Sequence, residues 1–349
     1  MSCNKVKCVV WDLDNTIWDG TIIEDDNVVL NNKVVDIIET LDKRGILQSI
    51  CSKNDFDLAM NKLKELRLDK YFLYPQINWN PKSEGIKNIA KSINIGVDTL
   101  AFVDDQEFEL DEVKYSLPEV LLINAKNIKE IPNMPEMNPK FITSDSKNRR
   151  LLYQNDIKRN KIEEEFLGTK EDFLKSLDMK FTLSKLEDED LKRAEELTVR
   201  THQLNATGYT YSYEQLYEMS KSDKYFILMA QLDDRYGTYG KIGLAVIELG
   251  ENLWTLKLLL MSCRVVSRGV GTIILNYIAR LAQKNNVRLL AEFVKTDRNR
   301  MMYITYKFGG FKEILSENEK IILEADYSKL NPMPDYIEVI EKEELACIS

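Results

Sequence analysis

Short apolar runs and helically spaced apolar positions alternate along the first part of the chain. Lys5 to Leu13 (KVKCVVWDL) reads as a buried strand; Val34, Val35, Ile38 and Leu41 then recur at helical spacing, and Gly45 follows as a stop. Ile46 to Cys51 predicts the next strand, and Ala59, Leu63 and Leu66 mark a second helix. Glu84 to Ile93 reads as a third helix, with strands at Thr99 to Val103 and Val120 to Ile123. Such alternation predicts a parallel sheet with helices on both faces, whose ligands bind beyond the carboxyl ends of the strands.

Pro132, Pro135 and Pro139 then punctuate a stretch that reads as a linker, and a charged helical segment runs from Ser146 to Leu177. From Met179 the order changes to a strand, a helix ending near His202 and a short helix at Tyr213 to Met219. Three strand candidates follow in succession: Tyr225 to Leu232, Ile242 to Leu249 and Leu253 to Met261. A glycine-punctuated turn, a helix (Thr272 to Asn285), the strand Val287 to Val294 and a last helix close a mixed α/β unit without internal repeats. The pattern divides the chain into a domain at 1–138, a linker and helical connection at 139–177, a second domain at 178–330 and a tail at 331–349.

The length of 349 residues fits about two domains. With 44% hydrophobic and 30% charged residues, the composition is that of a globular protein. A single histidine, His202, excludes metal sites built from several imidazoles. The five cysteines (Cys3, Cys8, Cys51, Cys263 and Cys347) are scattered and form no C-x-x-C pair, so neither a disulfide framework nor a zinc ribbon is expected. This usage suits a reducing cytoplasm. The most apolar run, Leu253 to Met261, is interrupted by Lys257, and the start MSCNKVKCVV does not read as a signal peptide, so no membrane segment is expected. At net charge −9, with only a modest basic stretch between Lys147 and Lys161, no nucleic-acid partner is expected either.

Asp12 and Asp14 end the first predicted strand, in VVWDLDNT. With a strand's two-residue period both carboxylates would point the same way. Such a pair needs a cation to neutralise it, or one member holding a proton and serving as a general acid. Ser52, Lys82 and the pair Asp104, Asp105 stand at the other strand ends or helix starts. A hydroxyl and an ammonium bind phosphoryl oxygens, and a further carboxylate completes the hard oxygen shell that Mg²⁺ prefers. Their order and placement specify phosphoryl chemistry.

WDLDNT, the SKND segment at Ser52 to Asp55, NWNPKSEGI around Lys82 and FVDDQEFE around Asp104 resemble the four motifs of the haloacid dehalogenase (HAD) phosphatase superfamily, most nearly its subfamily IIIC, the FkbH-like proteins. The resemblance implies a HAD-like Rossmannoid parallel sheet. It implies Asp12 as a nucleophile that becomes phosphorylated, Asp14 as general acid and base, and Ser52 and Lys82 as phosphoryl ligands. It further implies Mg²⁺ held by Asp12, the backbone carbonyl of Asp14, and Asp104 or its neighbour Asp105. The chain departs from the family where Trp18-Asp19-Gly20 stands for W-G-G and Ile23-Glu24-Asp25-Asp26 for G-E-D-G. It departs again where Gln106 to Leu110 replaces a proline and an E-R dipeptide. Both departures lie beside the site, where substrate shape is decided.

In the second half, MSCRVVSRGVGTIILNYIARLA joins a strand to a helix through Arg268-Gly269-Val270-Gly271. Glycines there leave backbone N–H groups open to an anion, and a helix N-terminus favours negative charge. With Asn299, Tyr303, Tyr306 and the KFGGF run at Lys307 to Phe311, the segment looks like the last two motifs of the GNAT acyltransferase fold, although Val266 stands where Gln or Arg usually opens the loop. The likeness implies a GNAT-like mixed α/β domain with Arg268, Gly269 and Gly271 holding the pyrophosphate of coenzyme A.

Cys263 ends the preceding strand beside Arg264 and reads either as a buried structural cysteine or as a thiolate favoured by nearby positive charge. The FkbH-like resemblance favours the second, since that family's S-C-R-V segment carries the cysteine thought to take the acyl group. The remaining cysteines read as core or tail residues. His202, in RTHQLNATGYTYS, is either a surface or capping residue or the imidazole that activates Cys263. The family's similar R-T-x-Q-F/L-N segment leaves Thr201, Gln203 or Asn205 as alternative carriers of that role.

To about Asp326, the resemblance implies a glyceryl transferase/phosphatase. Cys263 would take the acyl group of 1,3-bisphosphoglycerate, the HAD site would remove the remaining phosphate, and the glyceryl group would pass to a stand-alone holo acyl carrier protein for polyketide-type biosynthesis. The alternative is a Mg²⁺-dependent small-molecule phosphatase fused to a GNAT N-acetyltransferase-like domain. A scaffold with relic sites would require a lost motif residue, and all the HAD positions are present.

Overall fold

The computed structural model describes residues 6–24 and 28–342; Cys3, Asp25, Asp26 and Cys347 lie outside the described residues. The chain forms two compact units, Met1–Gln154 and Asn155–Ser349.

The first unit contains, in order, β1 (Cys8–Trp11), β2 (Trp18–Asp19), β3 (Val29–Leu30), α1 (Asn32–Lys43), β4 (Leu47–Ser52), α2 (Phe56–Glu65) and β5 (Gln76–Ile77). These are followed by α3 (Lys82–Ile93), β6 (Leu100–Asp104), α4 (Glu107–Ser116), β7 (Leu121–Asn124) and α5 (Ser144–Lys147). Its sheet runs β5-β4-β1-β6-β7 with every pairing parallel, as the alternating pattern predicts. The central strands are buried along their whole length, which is why β1 reads as a continuous apolar run rather than an alternating one. Among the described residues, the small β2–β3 hairpin intervenes between β1 and α1.

The proline-punctuated stretch that reads as a linker is packed onto this unit instead. Ala125–Asn133 and Pro135–Met137 form 3₁₀ turns, Ile128, Ile131 and Met137 are buried, and the Arg44 guanidinium donates to the carbonyls of Pro132 and Met137. Prolines remove backbone donors, but these short turns need few.

Helix α6 (Arg149–Glu165) contains the division between the units. The second unit continues with α7 (Lys170–Ser176), β8 (Met179–Lys185), α8 (Leu191–Arg200), α9 (Tyr213–Ser220), β9 (Tyr225–Asp234), β10 (Gly237–Glu248) and β11 (Leu253–Met261). It ends with α10 (Val270–Lys284), β12 (Arg288–Val294), α11 (Arg300–Phe308), β13 (Phe311–Glu317), β14 (Lys320–Ala325) and β15 (Ile337–Glu341). The sheet order is β13-β14-β12-β11-β10-β9-β8-β15. β11 with β12 and β8 with β15 pair in parallel and the rest antiparallel, so the protein is α/β with one parallel and one mixed sheet.

Side chains alternate between two cores along β9: Leu228, Ala230 and Leu232 face one, Ile227 and Met229 the other. β13 and β14 are absent from the pattern reading because β13 is exposed at every position after Phe311 and offers no alternation to read. The segment assigned to a tail supplies β15, an edge strand of the sheet. Among the described residues no helix is long and apolar enough to cross a membrane.

Candidate active sites

The first site stands at the carboxyl ends of β1, β4 and β6. The Lys82 ammonium, on the first residue of α3, lies 2.7 Å from Asp12 Oδ1 and 2.5 Å from Asp104 Oδ2, and all three side chains are buried. Ser52 hydrogen-bonds Asp12, and the Gln106 N–H donates to Asp104 Oδ1 over 2.8 Å. Burial pushes the Asp12 carboxyl up from its ordinary range, with Lys82 and Ser52 pulling against it. Asp104 is pushed up to about 6 by burial and then by the Asp12 charge. Burial works against the Lys82 ammonium, but the Asp12 and Asp104 carboxylates outweigh it and hold its pKa above the usual lysine value.

Each residue of the SKND segment has a separate task. Ser52 contacts Asp12; Lys53 pairs with the buried Glu109 at 2.6 Å; Asn54 donates to Asp14 Oδ2 over 2.9 Å; and the Asp55 side chain caps α2 by accepting from the Leu58 N–H. β1 ends at Trp11, so Asp12 and Asp14 both lie just beyond the strand, and they take different partners. The Asp14 carboxylate instead accepts from Trp18 Nε1 (2.7 Å), the Ile22 N–H (3.2 Å) and Asn54.

Carboxylate oxygens of Asp12, Asp104 and Asp105 all lie within 4.8 Å of one another. Asp105 Oδ1 is buried without a hydrogen-bond partner, so this oxygen has lost water and gained nothing in return. Three hard oxygen donors with one unsatisfied suit a divalent cation such as Mg²⁺. The side-chain set is thus Asp12, Asp104 and Asp105, and the Asp14 side chain is not part of it. Asp104 and Asp105, alternatives in the sequence, both stand in the cluster. Asn54, inside the SKND segment, completes the site and has no role assigned from sequence.

In the second unit, β11 and β12 pair only between Leu253–Leu256 and Arg288–Ala291, although both strands continue. Leu204 to Ala206 lies against both extensions. The Met261 N–H donates to the Leu204 carbonyl (2.9 Å), the Ala206 N–H to Leu259 (2.9 Å) and the Val294 N–H to Ala206 (3.0 Å). Buried Asn299 fastens the segment by donating to the carbonyls of Asn205 (3.0 Å) and Val294 (2.9 Å). His202 and Cys263 each stand two residues beyond the outermost of these bonds, Leu204 to Met261, so the pairing carries both toward the same end of the clasp. His202 is exposed and Cys263 half-buried against the core. Asn205, one of the alternatives to His202, is buried; its side-chain oxygen accepts from the N–H groups of Thr207 and Gly208. Tyr306 packs among Phe293 and Phe311 rather than at a surface.

The Arg268-Gly269-Val270-Gly271 turn differs from an open anion cradle. Arg268 is 2% exposed, donates to Glu163 over 2.9 Å and lies over the Phe173 ring. Gly269 has φ +72°, and a Cβ there would meet the Tyr336 hydroxyl at 2.6 Å; one at Gly271 would meet Met261 at 2.6 Å. These glycines serve close packing. The Arg264 guanidinium, expected beside the Cys263 thiol, donates to the Tyr239 carbonyl (2.7 Å). Both arginines belong to a buried charge cluster centred on Arg159. Arg159 forms a two-pronged pair with Asp234 (2.7 and 2.8 Å), bonds Asp156 and lies 3.8 Å from the centre of the Tyr239 ring.

No family model and no curated protein matches the chain. Among solved structures, the phosphatase-containing N-terminal part of a Bacteroides fragilis protein, complexed with Mg, is 28% identical over 36% of this chain and 39% of its own length, at a TM-score of 0.33. The ribosomal-protein-S18-alanine N-acetyltransferase of Escherichia coli is 18% identical over 42% of this chain and 92% of its own, at 0.34. The PaiA N-acetyltransferase of Thermoplasma acidophilum, in complex with coenzyme A, is 18% identical over 42% and 99%, at 0.36.

Proposed function

We propose that the first unit is a Mg²⁺-dependent phosphomonoesterase that works through a phosphorylated Asp12. The observation that carries this is the buried Lys82 ammonium between Asp12 and Asp104, with Asp105 beside them holding an unsatisfied oxygen. Asp12 attacks phosphorus, the ester oxygen leaves, and Lys82 and Ser52 hold the oxygens on which charge gathers. Asp14, fixed by three N–H donors, gives its proton to the leaving oxygen and then takes one from the water that cleaves the phosphorylated Asp12. Asp12, Asp104 and Asp105 would hold a Mg²⁺ ion, which would supply charge neutralisation for the phosphoryl group. Mg²⁺-dependent phosphate release from a simple phosphate ester tests this reading, and a fully purified protein without such release refutes it.

For the second unit we propose acyl transfer through the Cys263 thiol. The thiolate attacks the acyl carbon of 1,3-bisphosphoglycerate, the C–O bond to phosphate breaks, and a thioester forms as phosphate departs. After the first unit removes the remaining phosphate, the pantetheine thiol of a holo acyl carrier protein attacks the thioester and the Cys263 thiol is restored. What supports a protein thiol over a coenzyme A arm is the Leu204–Ala206 clasp, since an arm lying between β11 and β12 would have to displace it. The inward-turned Arg268 points the same way. The second reading, a phosphatase joined to an N-acetyltransferase, is favoured by the mixed sheet and its β11–β12 splay alone. Acetyl transfer from acetyl-coenzyme A to an amine, unaffected by Cys263→Ala, would establish it.

A further inference from the structure

The loops and helix starts around the phosphoryl site carry apolar side chains that the chemistry of phosphate transfer does not need. Ile23 is 50% exposed, Phe56 48%, Trp79 67% and Phe108 74%. Each stands next to, or two residues from, a group bonded into the site. Ile23 follows Ile22, whose N–H donates to Asp14; Phe56 is two residues beyond Asn54, which also binds Asp14. Trp79 follows Asn78, whose N–H donates to the Ser52 carbonyl over 3.1 Å. Phe108 precedes Glu109, the partner of Lys53, and is two residues beyond Gln106, which binds Asp104.

Single exposed apolar residues are ordinary on protein surfaces. Val29, Leu58, Ile142 and Leu151 of the first unit are such residues, but the exposed aromatic ones are not evenly spread. Of the four aromatic side chains of the first unit that are largely exposed among the described residues, Phe56, Trp79, Phe108 and Tyr115, three stand here: Trp79 in the loop before α3, Phe56 at the first residue of α2 and Phe108 at the second of α4. A phosphate seated at Asp12 leaves its ester group facing outward from the carboxyl edge of the sheet, where these loops lie.

We infer that Ile23, Phe56, Trp79 and Phe108 form a specificity rim, and that the preferred substrate is a phosphate monoester whose leaving group carries apolar surface beyond its first carbons. This rests on the phosphatase reading of the Asp12 site. It separates a substrate presented on a longer arm from a free, small polyol phosphate, which leaves the rim in water. The rim residues are specificity residues; none of them touches the reacting atoms.

The test compares propyl phosphate with 3-phenylpropyl phosphate, two esters with nearly the same leaving-group basicity, using the full chain with Mg²⁺. The rim predicts a kcat/KM about tenfold higher for the phenyl ester. In Trp79→Ala/Phe108→Ala that preference falls to near unity while kcat/KM for propyl phosphate stays within about twofold. Equal efficiency on both esters in the unaltered protein overturns the rim and leaves the phosphatase reading standing. A preference that survives the double substitution also overturns it. Failure to hydrolyse either ester overturns the phosphatase reading, and the rim with it.

Discussion

Lys82 and Asp12, 70 positions apart in the chain, meet as a buried ion pair of 2.7 Å. The pair joins the start of α3 to the end of β1, and the same ammonium holds Asp104 at the end of β6. Replacing Asp12 by Asn leaves a poor nucleophile of the same shape, so phosphate release is expected to fall by at least about 10³-fold. A steady-state phosphate assay checks this; retained turnover would move the nucleophile elsewhere.

Asp105 carries the unsatisfied oxygen of the cluster. Asp105→Asn removes its charge while keeping its volume. Mg²⁺ affinity, read from calorimetry on the unaltered fold, is expected to weaken by about 10–100-fold. An unchanged affinity would leave Asp12 and Asp104 as the only side-chain ligands.

Asp104, pushed up to about 6, sets a pH dependence whose sign follows from its raised value. Between its ordinary value of 3.8 and about 6 the folded chain binds more protons than the unfolded one. Stability of the Mg²⁺-free protein therefore falls as pH rises through that window and levels off above it. Asp104 and Asp12 titrate as a pair, and Asp104→Asn is expected to flatten this slope in urea unfolding. Mg²⁺ competes with the same proton, so its stabilising effect is expected to grow from pH 5 to pH 7; a flat dependence contradicts the assignment.

The Arg159–Asp234 pair is fully buried, and removing one partner strands the other charge. Asp234→Ala is expected to cost about 3–5 kcal/mol in urea unfolding of the second unit. A loss below about 1 kcal/mol would mean that water reaches Arg159.

How much of this was legible beforehand follows from what each signal measures. Buried parallel strands announce themselves as apolar runs, so β1, β4 and β6 and the residues at their ends are legible in the sequence, and the run Leu253–Met261 coincides with β11. The exposed edge strand β13 and the returning strand β15 leave no such pattern. The glycine neighbours of Arg268 advertise an open turn and an anion ligand. The Arg268 partner, Glu163, lies 105 positions away, and no local pattern reports that pairing.

Acyl transfer through Cys263 is tested most directly by the intact mass of the protein after exposure to 1,3-bisphosphoglycerate and Mg²⁺, followed by peptide mapping. A glyceryl thioester is expected on the peptide containing Cys263, absent from Cys263→Ala and still phosphorylated in Asp12→Asn. An unmodified protein that has nevertheless consumed the acyl phosphate, or an adduct on any other residue, would contradict it.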